Sequence, residues 1–371
     1  MDRPRFKALD VFRGLTVCLM IVVNTSGAGA DPYPILSHAK WFGLTLADLV
    51  FPAFLFAVGN AMSFADPKQG ASGAYALRVL KRAAIIFLLG YLMYWFPFFH
   101  QTADGTWAFN PFDHTRIMGV LQRIGLCYLA TAIAVRYLDV RGLAALTALL
   151  LLGYWGALMA FGPPGEQLSM LGNLGARIDR SLLGIDHMYV KGHGYDPEGL
   201  FSTLPAIANV LAGYLAGRFI VSTPDRRITV RWLALAGLAI TITALAWSLG
   251  FPLAKRLWTS SFALLNIGLD MLVLAGLILY VEIAGRRTGV RFCEVFGRNP
   301  LAIYLFSELF VTVLQLIKTP SGEGLYDWVG RHVFQIALPG PAGALACAIA
   351  YMLVCWGFGY LLDRNHILIK I

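Results

Sequence analysis

Ten apolar stretches, each about 18–24 residues long, recur along this chain, near 8–27, 44–65, 80–98, 116–137, 142–161, 200–220, 231–250, 260–283, 299–317 and 342–362. A helix rises about 1.5 Å per residue, so each stretch can cross a hydrocarbon core of roughly 30 Å. Composition points the same way: 58% of the residues are hydrophobic and 14% are charged, against about 25% charged in soluble domains. A chain this apolar cannot hide its surface from water, so the bilayer is its solvent and helices satisfy its backbone. The expected fold is an all-α membrane protein: one polytopic bundle of about ten transmembrane helices, a single domain over 1–371.

Lysine and arginine orient the bundle. One set of loops, carrying Arg78, Lys81, Arg82, Arg141, Arg226, Arg227, Arg286 and Arg287 among others, holds about twice the basic charge of the other set. Arg3, Arg5, Lys68 and Lys370 add to the same side. The positive-inside bias makes that side cytoplasmic, and an even number of spans places both termini there. The net charge of +9 is read as a topology signal, not as a nucleic-acid surface. The first apolar segment runs into Asn24-Thr25-Ser26-Gly27 without a small-x-small cleavage site, and reads as a retained signal anchor. Cys18, Cys127, Cys293, Cys347 and Cys355 form no CxxC pair, so neither a disulfide framework nor a metal site is expected. The loops of the opposite side, 28–43, 99–115, 162–199 and 318–341, are longer and rich in Gly, Pro, His and aromatics. Loops of that kind commonly carry function.

Polar groups inside apolar segments are the best unaided pointers to a site, because each is costly in lipid unless paired or facing a cavity. Asp10 and Arg13 are three residues apart on one helix face. They read either as a structural pair or as a cavity-facing cation for an anionic ligand. Asn24 closes the first span, as a helix cap or as a group that holds a carbonyl. His38 lies just outside the membrane. Thr45 and Asp48 open the second span as capping residues. Asp48 could also orient the His38 ring and make it a general base. Arg116 and Arg123 are two turns apart on one face. Arg116 can snorkel to the interface; Arg123, about 10 Å deeper, cannot, and needs Asp48, Glu308 or a ligand phosphate to neutralise it. Gln122, Trp258, Ser260, Arg298 and Asn299 add polar groups at span ends, each with a structural reading as cap or anchor. No Walker loop, HExxH, GxSxG or GxGxxG-acid pattern is present, so an enzymatic site would be membrane-embedded.

Several of these segments, taken in order, resemble one family. They are Leu9-Asp10-Val11-Phe12-Arg13-Gly14, the Asn24 turn, and the run from His38-Ala39-Lys40-Trp41 through Asp48-Leu49-Val50-Phe51-Pro52. Further along come Gly119-Val120-Leu121-Gln122-Arg123-Ile124-Gly125, Tyr195-Asp196-Pro197-Glu198-Gly199, Leu257-Trp258-Thr259-Ser260-Ser261 and Gly297-Arg298-Asn299-Pro300. They are similar to the heparan-α-glucosaminide N-acetyltransferase family, lysosomal membrane enzymes with bacterial relatives, and the likeness runs from about residue 5 to 363.

The resemblance implies transfer of an acetyl group from cytoplasmic acetyl-CoA to the amine of an amino sugar across the membrane. It implies that His38 is the active-site histidine and Asn24 its partner. The role of Asp48 is read from the residues themselves. Arg13, Arg116, Arg123, Asp10, Gln122, Trp258, Ser260, Arg298 and Asn299 are the candidate acetyl-CoA contacts. Acetyl-CoA is the expected cosubstrate, with no metal. The partners expected are CoA, a glucosamine-type acceptor, the lipid bilayer and a second copy in a homodimer. A chain that starts at the first catalytic span fits a multi-pass protein of a bacterial inner membrane. Transfer within a ternary complex and transfer through an acetyl-histidine both stay open. The rival readings are an amino-sugar permease, against which no inverted repeat is visible, and an enzyme moving a different acyl group.

Overall fold

The computed structural model describes residues 6–65, 71–102 and 104–369. Arg3, Arg5, Lys68 and Lys370, counted above in the charge bias, lie outside the described residues. The chain is predominantly helical and divides into two compact units.

The first unit combines residues 1–39, 44–54 and 276–370. It holds α1 (Lys7–Asn24), the start of α2 (Leu46–Met62), and a later series of helices. The second unit, 40–43 and 55–275, holds the rest of α2, then α3 (Ser72–Trp95), the β-hairpin of β1 (Phe99–Gln101) and β2 (Trp107–Phe109), α4 (Val120–Tyr137) and α5 (Val140–Phe161). It continues with α6 (Leu174–Leu183), α7 (Thr203–Ser222), α8 (Arg226–Ser248) and most of α9 (Ser260–Leu277). Beyond a π-helical continuation of α9, Ile278–Ile283, the first unit resumes with α10 (Val290–Arg298), α11 (Pro300–Leu316), α12 (Leu325–Val329), α13 (Gln335–Ala337) and α14 (Pro341–Arg364).

Each of the ten expected spans is covered by a helix. Among the described residues, five helices are long and apolar enough to cross a membrane by composition: α5, α7, α8, α9 with its continuation, and α14. The bent pair α10–α11 makes a sixth if counted as one span. The others are less clear-cut because they carry the polar groups of interest or run short. Lys7, Asp10 and Arg13 lie in α1, Arg78, Lys81 and Arg82 in α3, Gln122 and Arg123 in α4, and α2 has 17 residues.

Two features missing from the sequence reading sit in what read as loops. Residues 286–298, taken as a basic cytoplasmic connection, contain α10, which meets α11 at 83°. Asn299 and Pro300 make the break, because proline starts a new helix but cannot continue an old one. The 162–199 loop contains α6, capped by Asn173, whose side chain accepts from the Ala176 amide at 2.9 Å.

Close backbone contact organises each unit. In the first, a Cβ on Gly14 would fall 1.8 Å from the Cys293 carbonyl oxygen, and one on Gly297 would fall 1.9 Å from that of Asp10. Residues 10 and 14 of α1 thus face 297 and 293 of α10, antiparallel, with a glycine on one side of each contact. In the second, a Cβ on Gly59 would fall 1.8 Å from the Val210 carbonyl oxygen and one on Gly213 would fall 2.0 Å from that of Phe56, so α2 packs closely against α7. Small residues at such crossings let apolar helices pack by dispersion where lipid supplies no hydrophobic drive.

Candidate active site

The site in the first unit is built on the start of α2. In Thr45-Leu46-Ala47-Asp48 the acidic residue supplies the carboxylate half of a capping box: Asp48 Oδ2 accepts from the Thr45 amide and hydroxyl, both at 3.0 Å, and from the Ala39 amide at 3.2 Å. An N-terminal carboxylate is what an open helix end favours. The other oxygen, Oδ1, lies 2.9 Å from His38 Nδ1. The capping and orienting readings of Asp48 therefore hold together in one side chain. The Asp48 side chain is fully buried, whereas that of His38 is 37% exposed. An ionised Asp48 accepts a hydrogen bond from Nδ1–H, which leaves the proton on Nδ1 and the basic lone pair of the ring on Nε2.

Asn24 is the last residue of α1, but it is not the cap. Thr25 takes that place, donating its amide and hydroxyl to the Ile21 carbonyl at 3.1 and 2.7 Å. The Asn24 amide instead donates to Glu308 Oε1 of α11 at 3.2 Å. Tyr326 of α12 secures the same turn by donating its hydroxyl to the Thr25 carbonyl at 2.5 Å.

At the far end of α1, Arg13 pairs with Asp10, as the three-residue spacing suggested. Gly297 lies against the Asp10 carbonyl, so Arg298 belongs to the same end. Arg298 and Arg291 share Asp363 of α14, one on each carboxylate oxygen. The Nε atoms of Arg13 and Arg298 are buried and have no acceptor among the described residues. This cluster thus has more guanidinium donors than its own carboxylates fill. Asn299 is occupied otherwise: its amide donates to the Ile367 carbonyl and accepts from the Ile369 amide, both at 2.9 Å, and so ties the bend to the chain's end.

The remaining candidates fall in the second unit. Arg116 is held by Asp196 at 2.5 and 3.1 Å and by Glu198 at 2.6 Å, and lies over the rings of Tyr94 and Tyr189. Its charge is committed to these carboxylates. Burial favours a protonated Glu198, but Arg116, Arg123 and Lys255 outweigh it and hold the carboxyl below its ordinary value. Arg123 is fully buried. It donates to the Gly199 carbonyl at 3.0 Å and to the Ser202 hydroxyl, and lies 4.8 Å over the Trp258 ring. Its Nε and Nη1, and both amide atoms of the buried Gln122, have no hydrogen-bond partner among the described residues. Trp258 adopts φ +52° while fully buried, a backbone state that costs a bulky residue energy. Its indole donates to Asn209 at 3.1 Å. Ser260 donates to the Leu151 carbonyl at 2.6 Å, a helix-joining role. Asp179 of α6 was not singled out from the sequence. Burial raises its carboxyl to about 6, despite bonds from the Leu200 and Phe201 amides and the pull of Arg123.

A helical membrane protein that sets an exposed histidine on a buried carboxylate is equipped for proton removal from a nucleophile, the chemistry of acyl transfer. Residues 6–360 match the acyltransferase domain family, and the chain belongs to it. It is similar to two curated proteins named heparan-alpha-glucosaminide N-acetyltransferase. One is from Homo sapiens, 28% identical over 365 residues, covering 83% of this chain and 53% of the relative. The other is from Mus musculus, 29% identical over 407 residues, covering 94% and 59%. The chain thus spans somewhat over half the length of these curated relatives.

Proposed function

We propose that the protein is an acetyl-CoA-dependent N-acetyltransferase acting on the amine of a glucosamine-type sugar, with ten spans, both termini cytoplasmic and the acceptor on the periplasmic side of a bacterial inner membrane. The observation that carries this reading is the His38–Asp48 pair, with its carboxylate buried and its ring half-open. His38 Nε2 removes a proton from the acceptor ammonium. The free amine attacks the thioester carbonyl, the C–N bond forms, and the C–S bond breaks. The attacking nitrogen sheds its second proton to the departing thiolate, giving the amide and CoA, and the imidazolium returns its proton to solvent. Asp48 steadies the imidazolium formed in the first step. Asn24, held by Glu308, offers its remaining amide hydrogen to the carbonyl oxygen as negative charge develops there.

The phosphates of CoA need cations with donors to spare. Arg13 and Arg298 fit, each having a buried Nε without an acceptor among the described residues. Arg123 and Gln122 remain candidates for polar contacts to the same substrate, because their donors are likewise unspent. Arg116, Ser260 and Asn299 are better suited to holding the scaffold, since their side chains are engaged within it.

The test uses the full chain purified in detergent, with acetyl-CoA and glucosamine, reading free thiol and acetylated amine together. Wild type is expected to release one thiol per amide formed. His38→Ala is expected to lose this activity by about 10²–10⁴-fold while still binding acetyl-CoA. A His38→Ala protein with full transfer would sink the proposal. A burst of thiol without acceptor would replace direct transfer by an acetyl-histidine route.

A further inference from the structure

An apolar cavity of about 430 Å³ opens among α5, α7, α8 and α9, within the second unit. That volume lies in the range of sites that enclose small ligands. Small side chains make the room: Ala212 and Ala216 of α7 form its floor, one turn apart, with Phe219 continuing the same face. Leu233 and Trp232 of α8 and Ile267 of α9 form further walls. The floor and inner wall are buried, while Trp232 is 55% exposed. An indole at the rim of an apolar groove suits the depth of lipid headgroups.

The electrostatics are one-sided. α5 begins, α7 ends and α8 begins at the same end of the cavity. Arg141 precedes the lining residue Ala144 by three positions, Arg218 adjoins Phe219, and Arg226 precedes Leu233 by seven, on one helix face. Arg218 also follows the lining residue Leu215 by three positions, and Arg141 and Arg218 are exposed. The acidic residues of these segments are Asp139 and Asp225, both taken up as helix caps, each accepting a backbone amide at 2.8 Å. Arg226 donates to the Ile220 and Thr223 carbonyls at the end of α7. An apolar slot ending in a cationic rim matches an amphiphile with an anionic head. Zwitterionic lipids offer the same chains without the net charge.

We propose that this cavity binds one acyl chain of an anionic phospholipid, whose phosphate sits between Arg141 and Arg218. Basic sites between membrane helices recognise anionic headgroups by this combination of charge and slot. The site shares no residue with the His38–Asp48 pair, so the inference stands or falls separately from the activity.

Native mass spectrometry of the full chain in detergent tests it, titrating phosphatidylglycerol and phosphatidylcholine of identical acyl chains. Wild type is expected to retain phosphatidylglycerol at a concentration on the order of ten-fold lower. Ala216→Phe fills the slot and should abolish the selective adduct. Arg141→Glu with Arg218→Glu should erase the preference for phosphatidylglycerol. Melting in lipid-free detergent checks each variant, and Ile240→Phe fills the slot from α8 if Ala216→Phe does not fold. Equal retention of the two lipids by wild type would overturn the proposal, as would selective retention that survives a folded slot-filling variant. A dimer that Ala216→Phe dissociates would give the cavity to a second copy and overturn it too.

Discussion

Asp48 performs two tasks with two oxygens, and this makes its substitution informative. Asp48→Asn keeps an acceptor for the capping box but can present an amide hydrogen where Nδ1–H must be accepted. The imidazole is then held in the wrong tautomer or released. The expected outcome is a kcat lower by about 10²–10³-fold with little change in the KM for acetyl-CoA, measured by thiol release. Glu308→Ala is expected to free the Asn24 amide and to lower kcat by about ten-fold, with Glu308→Gln retaining more activity because its side-chain oxygen still accepts. The His38–Asp48 pair was legible in the sequence, since ten residues of chain bring a loop histidine back to the helix start. The Asn24–Glu308 bond was not, because 284 residues separate the partners and no local pattern links them. Asp179 gives a separate test. Its folded-state carboxyl lies near 6, against 3.8 unfolded. The folded state therefore binds the extra proton, and stability falls as pH rises from about 4 to 6 and then levels. Asp179→Asn should lose that slope, read as melting temperature in detergent from pH 4.5 to 7.5.

At the scale of elements, apolar length located the helices that pack on one another and lipid, while charge hid the ones that matter near the ends. α10 carries Arg291, Glu294 and Arg298 within nine residues, so its charges read as a loop. Yet Val290, Val295, Phe296 and Gly297 bury one face against its neighbours. Tertiary packing makes this short helix; intrinsic propensity over so few residues would not. The end of α1 was placed within three residues, although its capping residue is Thr25, not Asn24. The seam between α1 and α10 supplies the prediction. Gly14→Ala must push a methyl group into the Cys293 backbone, where no rotamer can yield. A loss of about 1–3 kcal/mol or more is expected, seen as a melting temperature several degrees lower. Gly156→Ala on α5, where a Cβ meets nothing within 4 Å, should be neutral or slightly stabilising.

For the whole molecule, a helical membrane protein of the acyltransferase family was legible from hydropathy and ordered motifs, and the matched domain runs through both compact units. The proposed ten-span arrangement makes its own prediction. The five cysteines are free and would first be replaced. Single cysteines at Ser37 and Ser321 should then react with an impermeant maleimide from the periplasm. Those at Ser222 and Thr288 should react only after the membrane is opened. Cytoplasmic labelling at Ser37 would reverse the proposed direction of transfer. The glycine seams carry a mechanical consequence. At the points where main chain rests on main chain no rotamer change can relieve a shift, so α1 and α10 move together there. They behave as a welded strut, as do α2 and α7. On the proposed reading, a doorway for acetyl-CoA opens by movement of loops and helix ends, and variants that modulate entry should be sought there, not along the welds.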